Sequence, residues 1–270
     1  MLRTWLEHPL TRGLDVDDPR TTERRRQIIR EKAFLRDIYS DWYSAIAHAL
    51  PQGPGAVLEI GSGAGFLEDF VPGLITSEAF SCSGVRLVLD GLRLPFRSGT
   101  LRGIAMTNVL HHLPAPRRFF SEALSCVRAG GAIVMVEPWV TPWSRLVYSR
   151  LHHEPFQPDT PNWEFPSTGP LSGANGALPW ILFERDRTQF EHEFPQWSIA
   201  SIAPLMPFRY LLSGGISLRT LMPDWSSAFW SSVEKRMGVR AHRMAMFARI
   251  VLQRLDEPGS GHNMERGPGR

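Results

Sequence analysis

The sequence predicts an α/β fold in which helices cover both faces of a mostly parallel, doubly wound sheet. Residues 57–60 are apolar apart from one carboxylate, as in a strand buried on both faces, and they lead into a glycine-rich turn at 61–65. Further apolar runs cover residues 74–80, 85–96, 101–109, 132–137, 198–203 and 244–252. A short helix is predicted to begin at 66–70, and further helices are predicted at 117–127, 210–221 and 225–237. In such folds, ligands bind outside the carboxyl ends of the strands.

The glycine-rich turn indicates which kind of nucleotide the site holds. A dinucleotide fingerprint requires glycine at position 66, where this chain has Phe66. The turn has glycine at positions 61, 63 and 65, and Glu59 precedes it. A carboxylate at this place would repel a pyrophosphate but suits a ligand with cationic groups, such as the ammonium and sulfonium of S-adenosylmethionine. The pattern therefore favours a sulfonium cofactor.

A second acid follows at the end of the next predicted strand. Glu78 stands where doubly wound folds place an acid that binds ribose hydroxyls. Only residues 81–84 separate this strand from the next apolar run, which is too few for a helical crossover. Either the second strand begins and ends earlier than 74–80, or the crossover is a bare loop.

Taken together, the motifs of residues 56–140 resemble one enzyme family. They are E-x-G-x-G-x-G at 59–65, L-P-F at 94–96, N-V-L-H-H-L-P at 108–114, G-G at 130–131 and E-P at 137–138. This succession resembles the class I S-adenosylmethionine-dependent methyltransferases, in the small-molecule branch that includes quinone-biosynthesis methyltransferases. The resemblance implies a three-layer, seven-stranded sheet with an antiparallel last strand, and S-adenosyl-L-methionine as the cofactor.

The resemblance also implies which residues bind the cofactor. Asp90 matches the aspartate that accepts a hydrogen bond from the adenine amino group. The full predicted set is Glu59, Gly61, Ser62, Gly63, Gly65, Glu78, Asp90, Gly91 and Asn108.

Histidines provide the candidates for catalysis. His111 and His112 follow the fourth strand, and a histidine with a pKa near neutrality suits proton removal from an acceptor. The alternative is that these rings only shape a turn or cap the next helix. Glu137 and residues 152–154 (His-His-Glu) are candidates for acceptor contact. Adjacent histidines without a spaced third partner are poor evidence for a metal ion, so no metal site is predicted.

We expect a single methyltransferase domain over residues 1–255. Its parts are an N-terminal helix (23–50), a cofactor-binding half (56–137), an acceptor-covering lid rich in proline and tryptophan (138–186), a C-terminal half (194–255) and a disordered tail (256–270). Three aromatic residues of the N-terminal helix, Tyr39, Trp42 and Tyr43, either line the substrate opening or belong to the core.

Composition supports a cytoplasmic enzyme, and the resemblance implies a small-molecule acceptor. The formal net charge is only +3 over 270 residues, so we expect no nucleic-acid partner. No run approaches 18 apolar residues, and two cysteines form neither a metal motif nor a disulfide framework. The oligomeric state is not predicted. Two alternatives remain: a catalytically silent cofactor-binding protein of this fold, and a nicotinamide-dependent oxidoreductase, which Phe66 disfavours.

Overall fold

The computed structural model describes residues 8–11, 17–151, 154–169 and 171–256. Its sheet has seven strands in the order β3-β2-β1-β4-β5-β7-β6, and β7 is antiparallel to both of its neighbours. The strands are β1 (Ala56–Ile60), β2 (Ile75–Glu78), β3 (Leu87–Val88), β4 (Leu101–Thr107), β5 (Val127–Pro138), β6 (Trp197–Leu205) and β7 (Phe247–Arg254). The predicted seven-stranded, mostly parallel sheet is therefore confirmed.

Helices cover the sheet on both sides. They are α1 (Pro19–Glu31), α2 (Ala33–Ala49), α3 (Pro116–Cys126), α4 (Pro142–Leu151), α5 (Leu178–Trp180), α6 (Arg187–Glu193), α7 (Arg209–Leu212), α8 (Ser227–Met237) and α9 (Val239–His242). Among the described residues, no helix combines the length and the hydrophobicity that crossing a membrane requires.

Alternate residues of the central strands face two separate cores. One core joins the sheet to α3, through Ile104, Met106, Ile133, Phe119 and Phe120. The other joins it to α2, through Val57, Ala105, Val134, Leu35 and Trp42. The three predicted layers arise because the strands are apolar on both faces, so each face needs its own helical cover.

The N-terminal helix was predicted as one element over 23–50, and this is wrong in detail. Helix α1 already begins at Pro19, after Asp18 accepts a hydrogen bond from the Arg20 backbone N–H at 2.9 Å. The helical path then breaks at Lys32, whose backbone is extended. The buried Lys32 ammonium donates to the carbonyl oxygens of Gly215 (2.6 Å) and Leu218 (3.0 Å), so contacts with a distant loop accompany the break.

The connections near the glycine turn contain little helix. A single 3-10 turn, Leu67–Asp69, stands where a short helix was expected. Residues 79–86 join β2 to β3 without a helix, so the crossover is the bare loop that the sequence left as one of two alternatives. Strand β3 has only two paired residues, which explains why the apolar pattern gave poor bounds for it.

The segment predicted to be a lid, residues 138–186, begins at the last residue of β5. It holds α4, an irregular stretch at 154–169, α5 and a π-helical turn at Ile181–Arg185. The expected helix at 225–237 is present as α8, whereas the one expected at 210–221 is reduced to the four residues of α7. The predicted disordered tail falls almost entirely on residues 257–270, which lie outside the described part of the chain.

Candidate functional site

A cavity of about 540 Å³ opens at the carboxyl ends of β1, β2 and β4. This volume is within the usual range for a small-molecule site. Eight of the predicted site residues line it: Glu59, Gly61, Gly65, Glu78, Asp90, Gly91, Asn108 and His112. Ser62, Gly63 and His111 are not among the lining residues. The parallel pairing of β1 with β2 and β4 brings these strand ends to one edge.

Glu59 is the most deeply placed carboxylate of the cavity. It is only 3% exposed, and burial raises its pKa to about 7, although a hydrogen bond with Ser62 acts in the opposite direction. The nearby carboxylates of Glu68 and Glu78 add to the increase. A positive group bound in the cavity would relieve this cost of a buried negative charge.

The glycine turn is packed too closely to accept side chains. At Gly61, where φ is +72°, a Cβ atom would lie 2.5 Å from Cγ2 of Val109. At Gly63, a Cβ atom would lie 2.5 Å from both Oε2 of Glu78 and Cγ2 of Thr22. Glycine is needed here because the turn touches α1 on one side and the loop after β4 on the other.

Glu78 and Asp90 are oriented by backbone N–H groups. The two carboxylate oxygens of Glu78 accept hydrogen bonds from the N–H groups of Gly63 and Ala79, both at 3.0 Å. Asp90 accepts one from Leu92 at 2.8 Å, at the exposed rim. Each carboxylate keeps lone pairs for further hydrogen bonds, so each can accept hydroxyl or amino groups of a ligand.

Asn108 lies in the left-handed region with φ at +57° and shares a side-chain hydrogen bond with Tyr39. Tyr39 and Tyr43 are buried and also line the cavity. Trp42 instead stacks on Tyr210, with ring centroids 5.7 Å apart. Tyr39 and Tyr43 thus belong to the core and also line the cavity, whereas Trp42 belongs to the core and is not a lining residue.

Sequence reasoning did not identify the cavity residues of α1 or the individual cavity residues of the predicted lid. Thr22 and Arg25 line the cavity from α1. Four lid residues also line it: Ser167, Thr168, Gly169 and Leu171. Thr22 and Arg25 are three residues apart, a spacing that puts them on the same face of a helix. This spacing was the only feature of the sequence that could have indicated that α1 lines the cavity. No comparable pattern marks the lid residues.

His111 and His112 occupy a 3-10 turn and differ in charge. Burial alone would lower the pKa of His111, but the nearby carboxylates of Glu137 and Glu154 outweigh it and raise that pKa to about 9. Burial and the adjacent His111 lower the pKa of His112 to about 4. At neutral pH His111 is therefore cationic and His112 neutral, and of the two only His112 lines the cavity.

Glu137 is a structural carboxylate rather than a wall of the cavity. Its Oε1 accepts the backbone N–H groups of Val109 and Leu110, both at 2.8 Å, and its Oε2 lies 2.7 Å from Nδ1 of His111. Glu154 is described and approaches both histidine rings, whereas His152 and His153 lie outside the described residues.

Residues 58–135 match a family model described as a methyltransferase domain. No curated protein matches the chain. Among solved structures, a geranyl diphosphate methyltransferase in complex with S-adenosyl-L-methionine is similar at 14% identity, over 93% of this chain and 96% of that chain, with a TM-score of 0.50. The geranyl diphosphate C-methyltransferase of Streptomyces coelicolor A3(2), in complex with Mg²⁺, geranyl-S-thiolodiphosphate and S-adenosyl-L-homocysteine, is similar at 13% identity, over 93% and 87% of the two chains, with a TM-score of 0.50.

At these identities the solved structures establish the fold, while the family match covers the strands and turns that build the cavity. The match runs from β1 through the glycine turn to β5. Residues 58–135 of the chain therefore carry a methyltransferase domain.

Proposed function

We propose that this protein moves the methyl group of S-adenosyl-L-methionine to a small-molecule acceptor. The nucleophile would be an oxygen, nitrogen or carbon atom of a metabolite, a lipid-like quinone or a sugar-containing intermediate. The observation that carries the proposal is that three carboxylates from successive strand ends, Glu59, Glu78 and Asp90, line one cavity. Quinones are included because the motifs resemble those of the quinone-methyltransferase branch.

The cavity walls suggest how each part of the cofactor is held. Glu59 would stabilise the cationic methionine end, since its buried carboxylate lacks a positive partner among the groups that shift its pKa. Glu78 would accept the ribose hydroxyls and Asp90 the adenine amino group. Arg25 forms no hydrogen bond or ion pair with the described residues. It would bind the carboxylate of the methionine end.

The bound cofactor supplies an electrophilic methyl group on a sulfonium. What the protein adds is alignment of the acceptor with that methyl group, because in-line displacement depends on geometry. Tyr39 and Asn108 lie on one side of the cavity, and lid residues 167–169 lie on it as well. A lid that contributes to the wall would help to exclude water from the reaction.

The two candidate catalytic histidines receive different roles in this proposal. His112 faces the cavity and is neutral at physiological pH, so it is the residue that contacts the acceptor. His111 is buried behind it with ring centroids 4.3 Å apart, and it positions the turn through its bond with Glu137. We therefore propose His112 as catalytic and His111 as a positioning residue.

Isothermal titration tests the cofactor. S-adenosyl-L-methionine and S-adenosyl-L-homocysteine should both bind, and Glu59→Gln should weaken binding of S-adenosyl-L-methionine. Glu164→Gln, a change at an exposed carboxylate outside the cavity, is the matched control. Absence of heat with both ligands at high micromolar concentration would refute the proposal, and stabilisation by a nicotinamide cofactor instead would favour an oxidoreductase.

Turnover distinguishes an enzyme from a silent binding protein of the same fold. Formation of S-adenosyl-L-homocysteine is followed with representative phenols, quinols, amines and sugar derivatives. Dependence on one acceptor class supports methyl transfer and identifies the nucleophile. Tight cofactor binding without product in any class would favour the catalytically silent alternative.

A further inference from the structure

Three potential metal ligands converge next to the cofactor cavity. Nε2 of His111 lies 3.5 Å from Oε2 of Glu154, and Nε2 of His112 lies 3.8 Å from Oε1 of the same carboxylate. One ligand atom from each of the three residues falls within 4.8 Å of the others. Two of the residues are adjacent in sequence, and the third comes from the lid, just after α4.

The other nitrogen of each ring is already engaged by an acceptor. Nδ1 of His111 donates to Oε2 of Glu137 at 2.7 Å, and Nδ1 of His112 donates to the carbonyl oxygen of Gly173 at 3.1 Å. With hydrogen on Nδ1, the neutral form of each ring has its lone pair on Nε2. In these neutral forms both lone pairs are directed toward Glu154, as a metal ion requires, and binding of the ion would displace the proton that cationic His111 carries on Nε2.

The distances suit an ion better than direct hydrogen bonds. Good hydrogen bonds between nitrogen and oxygen are about 2.7–3.2 Å long, and the two contacts with Glu154 exceed that range. Ligands bound to a tetrahedral Zn²⁺ at about 2.1 Å stand about 3.4 Å from one another. The separations of 3.5 and 3.8 Å, which involve different oxygens of Glu154, are close to this value, and one ligand atom from each residue lies within 4.8 Å of the others. Movements of the side chains by about 1 Å would bring all three to an ion.

Charge also favours a cation at this place. Glu137 is completely buried and Glu154 is 19% exposed, so two carboxylates lie against the same imidazole away from bulk water. Negative charge that is removed from bulk water is costly unless positive charge lies beside it. A divalent ion would neutralise both carboxylates while the two rings remain neutral ligands.

We propose that His111, His112 and Glu154 bind a divalent transition metal ion of the Zn²⁺ type beside the cofactor cavity. Glu137 orients His111 in the manner of the carboxylate–histidine pairs that support metal ligands. Two histidines and one carboxylate leave a coordination position open for water or for an acceptor oxygen.

The ion would lie where it can act on the acceptor. His112 lines the cavity, so an ion on its Nε2 would border the space that the acceptor occupies. A bound divalent ion lowers the pKa of an attached hydroxyl, which makes it a better nucleophile. This consequence rests on the proposed methyl transfer and would favour oxygen acceptors, whereas metal binding itself does not depend on it. In the metal-bound protein, His112 acts as a ligand and the ion contacts the acceptor.

Direct metal binding tests the site. The full chain without an affinity tag is stripped with a chelator, dialysed and titrated with ZnCl₂, and bound zinc is measured by elemental analysis. We expect one ion for each chain. His112→Gln and Glu154→Gln should each weaken binding by at least about 10–100-fold, the loss typical even of residues that only orient ligands. His48→Gln is the matched control, because His48 is an exposed histidine of α2 whose Nδ1 contacts the Ser44 carbonyl oxygen.

Several results would overturn the proposal: no zinc bound, weak binding at several sites, or binding that neither variant changes. Loss of zinc only on changing His152 and His153 would also exclude this ligand set. Circular dichroism verifies folding; if His112→Gln does not fold, Glu154→Gln at the partly exposed carboxylate decides. Titration with S-adenosyl-L-methionine in the same samples separates failure of the metal site from failure of the proposed function, because each ligand is measured independently.

Discussion

Nδ1 of His111 lies 2.7 Å from Oε2 of Glu137, and the two side chains are only 3% and 0% exposed. This contact joins the turn after β4 to the end of β5, its parallel neighbour. It sets the orientation of the His111 ring and, through the adjacent residue, the position of His112 at the cavity wall. The end of β5 therefore supports the site although Glu137 does not line the cavity.

Glu137→Leu should destabilise the protein strongly. The change removes the acceptor for three buried donors, the N–H groups of Val109 and Leu110 and Nδ1 of His111. Each unsatisfied donor costs about 1–3 kcal/mol, so urea denaturation should show a decrease of about 3–9 kcal/mol in the free energy of unfolding. Glu137→Gln should lose less because its amide oxygen still accepts. Glu164→Gln removes an exposed ion pair and should change the free energy of unfolding by less than about 1 kcal/mol. Equal losses of stability for Glu137→Leu and Glu164→Gln would contradict the structural role of Glu137.

Affinity for S-adenosyl-L-methionine should rise with pH across neutrality. The free protein has Glu59 with a pKa of about 7, and only the ionised carboxylate stabilises the cationic ligand. Binding should therefore release a proton from Glu59. The affinity for S-adenosyl-L-methionine should fall by up to about tenfold between pH 8 and pH 6. Titration calorimetry in buffers of different ionisation heat measures both effects. In Glu59→Gln the pH dependence should largely disappear, and a wild-type affinity that is flat over this range would refute the role.

The same carboxylate should cost stability in the absence of ligand. The pKa of Glu59 is about 7 in the folded chain against an ordinary value of 4.5, so the folded state binds the proton more tightly. Its contribution to stability is complete below pH 4.5 and is lost as pH rises through 7. Glu59→Gln should then be more stable than the wild type at pH 8, by at most about 3 kcal/mol, with little difference at pH 5. Thermal unfolding of the ligand-free proteins at both pH values measures this, and a variant that is less stable at pH 8 would contradict it.

Gly61→Ala should be more damaging than Gly73→Ala. The two glycines have nearly the same φ, +72° and +74°, but a Cβ atom meets Val109 at position 61 and nothing within 4 Å at position 73. Both variants carry the cost of a left-handed backbone, about 1 kcal/mol, and only Gly61→Ala adds a clash. Adding Val109→Ala should rescue Gly61→Ala in urea denaturation and in cofactor binding. Lack of rescue would show that the contact with Val109 is not what excludes a side chain.

Arg25→Gln should lower the affinity for S-adenosyl-L-methionine by about tenfold, because one charge-assisted contact is lost. Binding of 5′-methylthioadenosine, which lacks the amino-acid carboxylate, should not change. Arg24→Gln is the matched control, because Arg24 is exposed and hydrogen-bonded to Gln27. An equal loss for both ligands would place Arg25 at the nucleoside instead.

The cofactor half of the fold was predictable because its determinants are local. A buried strand followed by a glycine turn specifies where the chain reverses, and the carboxyl ends of parallel strands necessarily meet at one edge. Glu59, Glu78 and Asp90 therefore fall on one cavity without any knowledge of the rest of the molecule. The bounds of β3 were less predictable, since two paired residues leave almost no periodic pattern.

By itself, the sequence determined the class of fold, the sulfonium-type cofactor and the acids at the strand tips. Only the tertiary structure decided the break at Lys32, the approach of Arg25 to the cavity and the meeting of His111 with Glu137 and Glu154. Each of these depends on side chains that are far apart along the chain. Such contacts arise when helices and lid pack onto the sheet, and packing leaves no periodic signal in the residues that meet.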